Sequence, residues 1–242
     1  MIRCQRFGAL YSSLIITTAK EGLSEMGTCC VHNRDAGRFF GWFARRYRKR
    51  FARKGLEPSQ KQLMKGLISS GLSDASLLDI GCGTGYLHQR LLQAGAASAV
   101  GVDLSAKMLD EARAQAREQG LAERTDYREG DFVELGDVLA PADIVILDKV
   151  ICCYPDADAL VQRSARMARR VYAFTIPRDR WTVRFALFAG RVFLALIRCR
   201  FRSYVHDLAA IDRGLTHLGF ARVFQECTFA WLTRVYARRS EP

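Results

Sequence analysis

Leu77-Leu78-Asp79-Ile80-Gly81-Cys82-Gly83-Thr84-Gly85 reads as a buried strand running into three alternate glycines and then into the start of a helix. Glycine suits these positions because a side chain would keep a ligand from the backbone, and the helix N-terminus adds amide donors. A tight strand-to-helix turn would satisfy the same pattern. Taken alone, the motif also fits a nicotinamide dinucleotide site.

The residues downstream narrow the choice. Val100-Gly101-Val102-Asp103 closes the next strand, and Asp103, eighteen residues after Gly85, stands where a carboxylate can accept both hydroxyls of a ribose. Gly130-Asp131-Phe132 follows the third strand. There a carboxylate can accept from an adenine amino group while Phe132 covers the ring face. Asp79, just before the first glycine, is positioned for the amino end of a methionine moiety, whereas a pyrophosphate site would avoid its charge. A dehydrogenase has no use for Asp79 and Asp131, and the chain carries no Tyr-x-x-x-Lys pair.

Further out, short apolar runs alternate with helical stretches, the pattern of a parallel sheet flanked by helices. Strands are expected at 76–80, 99–103, 125–129, 144–148 and 170–175, with helices at 85–94, 105–120 and 158–167 in the crossovers and Ser105 as an N-cap. A helix at 207–218 then precedes two runs, 220–228 and 229–236, close enough to pair as an antiparallel hairpin. Upstream, Phe39, Phe43, Tyr47 and Phe51 recur every four residues among arginines and lysines, a basic amphipathic helix, and Pro58 opens a second helix.

On these residues the sequence resembles the class I S-adenosylmethionine-dependent methyltransferases. Asp79 to Gly85 match the family's first motif, Asp103 its second, Asp131-Phe132 its third and Asp148 onward its fourth. The resemblance covers about residues 75–180. It implies an α/β fold with a Rossmann-like seven-stranded sheet, mostly parallel with an antiparallel C-terminal hairpin, and helices on both faces. It also implies S-adenosylmethionine as cofactor, with Gly81, Gly83 and Gly85 lining it, Asp103 on the ribose, Leu104 and Met108 flanking the adenine, and Asp148 at the pocket.

Methyl transfer is an in-line displacement that asks the protein to align a nucleophile about 3 Å from the methyl group and to exclude water. The acceptor-facing stretch is expected after the fourth strand, at Asp148-Lys149-Val150-Ile151-Cys152-Cys153-Tyr154-Pro155. It is not the Asn/Asp-Pro-Pro-Tyr of enzymes that methylate amino groups of nucleic-acid bases. More distantly, the arrangement is similar to the magnesium-protoporphyrin IX methyltransferases, where His-Tyr-Pro stands in place of Cys153-Tyr154-Pro155. Tyr154 and His206 are the candidate catalytic residues, each with a structural alternative: strand-end packing for Tyr154, a helix-capping neighbour of Asp207 for His206. Lys149 lies beside the cofactor pocket by motif position but reads by default as a surface lysine. Cys153, like Cys82, Cys199 and Cys227, reads as a small buried hydrophobe.

With 242 residues and 49% hydrophobic content the chain can bury one sizeable core. Eight cysteines in so core-rich a chain read as a reduced, cytosolic-type protein without a zinc site. The net charge of +12 lies in two segments: 34–54 carries nine bases against one acid and 178–202 seven against one, leaving 21 bases and 23 acids elsewhere. The expected organisation is a leader or start-site extension at 1–30, an N-terminal helical cap at 31–72, and a methyltransferase domain at 73–242 with a lid insertion at 179–206. Both basic segments are expected to frame one entrance and to select an apolar acceptor with acidic groups. The insertion, too short to cross a bilayer, could also contact a membrane surface through 182–202. A nucleic-acid methyltransferase and a non-catalytic cofactor-binding module are the competing readings.

Overall fold

The structure, a computed structural model, describes residues 26–135, 138–196 and 201–239. Its centre is a seven-stranded sheet built from β1 (Ser76–Ile80), β2 (Ser98–Asp103), β3 (Thr125–Glu129), β4 (Ala142–Asp148), β5 (Ala168–Pro177), β6 (Phe220–Cys227) and β7 (Trp231–Arg238). The spatial order is β3-β2-β1-β4-β5-β7-β6. The first five strands run parallel, and β7 enters antiparallel between β5 and β6. This is the Rossmann-like sheet with a C-terminal antiparallel hairpin that the sequence implied. Strand order reverses between β1 and β4, which opens a crevice at their carboxyl ends.

Alternation along the strands divides the core in two. Leu78 and Ile80 of β1 and Val145 and Leu147 of β4 point to one face, where they meet Leu160 and Ile211. Leu77, Ile144 and Ile146 point to the other and meet Leu63, Leu91 and Leu109. The first face is covered by α6 (Ala157–Arg166) and α8 (Leu208–His217), the second by α2 (Pro58–Ser69), α3 (Tyr86–Gln93) and α4 (Ala106–Glu118). Leu91 is fully buried, so its truncation to alanine costs about 2–5 kcal/mol. Three of these helices, α4, α6 and α8, start on a side-chain acceptor: Ser105 Oγ takes the Met108 amide at 3.4 Å, Asp156 that of Ala159 at 2.9 Å, and Asp207 that of Ala209 at 2.8 Å.

Helix α1 (Met26–Lys54) lies across this core and against α4. It begins within the stretch set aside as a leader, while residues 1–25 of that stretch lie outside the described residues. Its closest approach is made by small residues one turn apart, and of the aromatic series Phe51 is buried and stacked on Tyr86 at 4.8 Å. A Cβ on Gly37 would come 2.6 Å from the Leu104 carbonyl oxygen, and one on Gly41 2.7 Å from Ser105 Oγ. Ala44 is buried on the same side, and Arg48 reaches Glu111 at 3.0 Å and Glu118 at 2.5 Å. The backbone of α1 therefore rests directly on the turn from β2 to α4.

One expectation is corrected here. Cys227, at the end of β6, is exposed, because the outer strand leaves alternate side chains in solvent; Cys82 is half-buried, and Cys199 lies outside the described residues. The insertion forms α7 (Trp181–Leu196), whose apolar residues mostly stay outside: Trp181, Phe185, Phe188, Val192 and Leu196 are all exposed. Only its base packs, Val183 burying beside Pro177 and Trp231.

Candidate active site

A cavity of about 410 Å³ opens above the carboxyl ends of β1, β2 and β4, roofed by α1 through Ala36, Gly37, Phe40, Tyr47 and Phe51. Its floor is the glycine turn. Gly83 has φ 56°, a left-handed conformation that a side chain strains, and no protein atom lies within 4 Å of where its Cβ would be. Added atoms there would project into the cavity. Gly81 also lines it, whereas Gly85 does not. Gly85 turns back into α3, its amide bonded to Cys82 O at 3.0 Å and its Cα facing His88 and Gln89.

Four aspartates converge on this space, each held by its own partners. Asp79, 2% exposed, pairs through Oδ2 with His88 Nδ1 at 2.8 Å. The other ring nitrogen of His88 meets the Tyr127 hydroxyl at 3.1 Å, and Gln89 Nε2 donates to that hydroxyl at 2.9 Å and to Ala112 O at 3.0 Å. Burial pushes the Tyr127 phenol up to about 12, so it stays protonated. Asp103 accepts from the Gly83 amide through Oδ2 (2.8 Å) and from the Ser105 amide through Oδ1 (2.9 Å), yet burial outweighs both donors and raises its carboxyl to about 6.

Asp131 accepts from the Val133 amide at 2.9 Å and from the Tyr154 hydroxyl at 3.0 Å, with Phe132, Leu104 and Met108 on the same wall. Phe132 opens the short α5 (Phe132–Leu135). Asp148, whose carboxyl burial also raises, accepts from Gln60 Nε2 at 2.8 Å and from Thr175 Oγ1 at 2.5 Å. Tyr154 is thus buried at the cavity wall with its hydroxyl directed to Asp131 rather than to an open space. His206 is not among the lining residues: its Nε2 lies 3.0 Å from the Tyr154 carbonyl oxygen, its ring stacks on Tyr204, and burial lowers its pKa.

Lys149 is not the surface lysine expected. Its side chain is 22% exposed and lines the cavity, ion-paired with Glu57 and 5.1 Å from the Trp231 ring centre. Glu57 also pairs with Arg50 at 2.5 Å. Cys153 lines the same wall, and the Tyr47 phenol beside this group is pushed up by burial and then by Glu57. His88, Glu57 and Gln60 were absent from the sequence reading, and Arg50 entered it only as part of the basic face of the first helix. Glu57-Pro58-x-Gln60 did carry a signal, a helix start in which the third residue reaches back, and Gln60 Oε1 does accept from the Glu57 amide at 3.0 Å.

No residue of 178–206 lines the main cavity among the described residues. The two basic segments meet through Phe201, stacked on Phe39 at 5.4 Å and edge-on to Phe40 at 5.1 Å. Among the described residues, no helix is long and apolar enough to cross a membrane.

The donor and acceptor set suits a ligand with an amine, a ribose and an adenine laid along the strand ends. Comparison with known proteins points the same way. Residues 77–171 match the methyltransferase-domain family. A ubiquinone biosynthesis O-methyltransferase of Bordetella avium is 30% identical over 155 residues, 60% of this chain and 63% of that protein. The protein of the same name from Nitrosomonas europaea is 28% identical over 72% of this chain and 76% of its own length. The chain thus spans less than two thirds of the Bordetella relative. Among solved structures, the fold is similar to a magnesium protoporphyrin IX methyltransferase from Synechocystis PCC 6803 with bound SAH, at TM-score 0.65 and 22% identity, covering 88% of this chain and 100% of that one.

Proposed function

We propose that this chain, a class I S-adenosylmethionine-dependent methyltransferase, serves a small or medium-sized apolar acceptor that carries an anionic group. The observation that supports this most is the cavity itself. Acids at the strand ends (Asp79, Asp103, Asp148) and at Asp131 surround the glycine turn, and the same space continues to a wall of aromatic rings and paired cations. When bound, the cofactor supplies an electrophilic methyl group on a sulfonium. The rest is the work of the chain. Asp103 takes the ribose hydroxyls, Asp131 the adenine amino group, Asp79 the methionine amino group, and Phe132, Leu104 and Met108 enclose the ring. Helix α1 closes the roof and keeps water out, which strengthens every polar contact beneath it.

The relatives' names extend the reading to acceptors like those of ubiquinone and porphyrin enzymes, which are apolar and carry phenol or carboxyl oxygens. The exposed apolar residues of α7, flanked by Arg180, Arg184 and Arg191, suit contact with an anionic membrane surface where such acceptors dissolve. Calorimetric titration with S-adenosylmethionine, S-adenosylhomocysteine and NADH tests the core of this reading. Micromolar binding of the first two alone is expected; folded protein that binds neither would overturn it.

A further inference from the structure

Lys149 is built unlike an ordinary lysine. It holds φ at 63°, a conformation that costs a residue with a Cβ about 1 kcal/mol or more and persists only where its surroundings enforce it. The enforcement is visible: its amide donates to Thr175 Oγ1 at 2.8 Å, and that hydroxyl donates to Asp148. The result aims the side chain into the cavity, between the Glu57 carboxylate and the face of Trp231.

Glu57 is shared between two cations, Lys149 and Arg50. The nearest other acid, Asp148, already accepts from Gln60 and Thr175 and does not take Lys149. An ammonium has three donors and a guanidinium five, so one carboxylate leaves donors to spare for a second anion. Phe51 and Trp231 add flat apolar walls beside them.

We infer that Lys149 is the acceptor-binding residue of this cavity: the oxyanion of an aromatic acceptor, a carboxylate or phenolate, binds its ammonium in exchange for Glu57, which serves as a built-in counter-ion. The inference rests on the methyltransferase reading and narrows its acceptor to a planar apolar body with an oxyanion. Exchange of one carboxylate for another keeps the half-buried lysine paired throughout, so neither state leaves an isolated charge in the cavity. It also favours acids over neutral analogues of the same shape, because a neutral group cannot replace Glu57.

The test uses protein first titrated with S-adenosylhomocysteine and then, once saturated, with 2-naphthoate or its neutral counterpart 2-naphthamide. The acid should bind about tenfold more tightly than the amide. Lys149→Met should erase that preference while S-adenosylhomocysteine still binds, Lys149→Arg should keep part of it, and Glu57→Gln should tighten naphthoate binding. Equal binding of the two probes, no binding of either, or a preference that survives Lys149→Met overturns the inference. Loss of S-adenosylhomocysteine binding by the unaltered protein would instead overturn the methyltransferase reading, so the two failures are distinguishable.

Discussion

The phenol of Tyr154 donates to Asp131 Oδ2 at 3.0 Å while the Val133 amide holds Asp131 Oδ1 at 2.9 Å, so the carboxylate is fixed from both sides before any ligand is considered. Tyr154 therefore positions Asp131. Tyr154→Phe removes one net hydrogen bond, about 1 kcal/mol, and should weaken S-adenosylmethionine binding about fivefold with the acceptor KM unchanged. Calorimetry and steady-state kinetics separate the two. A collapse of kcat with unchanged cofactor affinity would place Tyr154 on the acceptor instead.

Asp103 titrates where experiments are easily done. Burial holds its carboxyl up at about 6, against an ordinary value of about 3.9, so its contribution to stability is fullest below that ordinary value and is lost as pH rises through about 6. Ribose hydroxyls bind the ionised form, so cofactor affinity should move oppositely, falling as pH drops from about 7.5 to about 5. Asp103→Asn should bind weakly and flatten the profile. A native profile with no inflection near 6 would show that Asp103 does not govern binding.

Gly37 tests the roof. A valine there must push α1 off the Leu104 carbonyl, since the added carbon would lie 2.6 Å from that oxygen. The sheet and its two apolar cores do not depend on this contact, so the domain should stay folded by circular dichroism. Cofactor affinity should fall roughly tenfold, and α1 should become the first site cut in limited proteolysis. Unchanged affinity would mean that α1 does not enclose the ligand.

The apolar stripe of α7 makes a prediction of its own. Replacing Trp181, Phe185 and Phe188 together by serine should abolish co-sedimentation with vesicles containing anionic phosphatidylglycerol, because each buried ring contributes about 1.5–3 kcal/mol. Binding of S-adenosylhomocysteine should be unaffected, none of the three lining the main cavity. If the native protein ignores such vesicles, the stripe has another partner.

The sheet and the cofactor wall were legible because their signals are local. Uninterrupted apolar runs such as Ile144–Leu147, and a glycine turn between a strand and a helix, carry their meaning within ten residues. The wall of Glu57, Lys149 and Trp231 was not, since these come from three distant segments and meet only in the fold. His88 escaped notice because a polar residue in a helical pattern reads as solvent-facing, whereas here it is wholly buried against Asp79. In α1 the aromatic period Phe39, Phe43, Tyr47 and Phe51 is conspicuous, but only Phe51 of these is buried, and the closest approach to the domain is made by Gly37, Gly41 and Ala44. His206 was a candidate base from its residue type and its place after the insertion, with a structural role as the alternative; its ring nitrogen lies 3.0 Å from the Tyr154 carbonyl oxygen.

The position of β7 between β5 and β6 ties the cavity to the far end of the chain. β6 precedes β7 in the chain but reaches the sheet only through it. Trp231, the first residue of β7, meets Lys149 only while β7 is paired with β5. A change that frees β7 thus takes the Trp231 ring from the cavity wall while the strands that carry Asp79, Asp103 and Asp148 stay paired with one another.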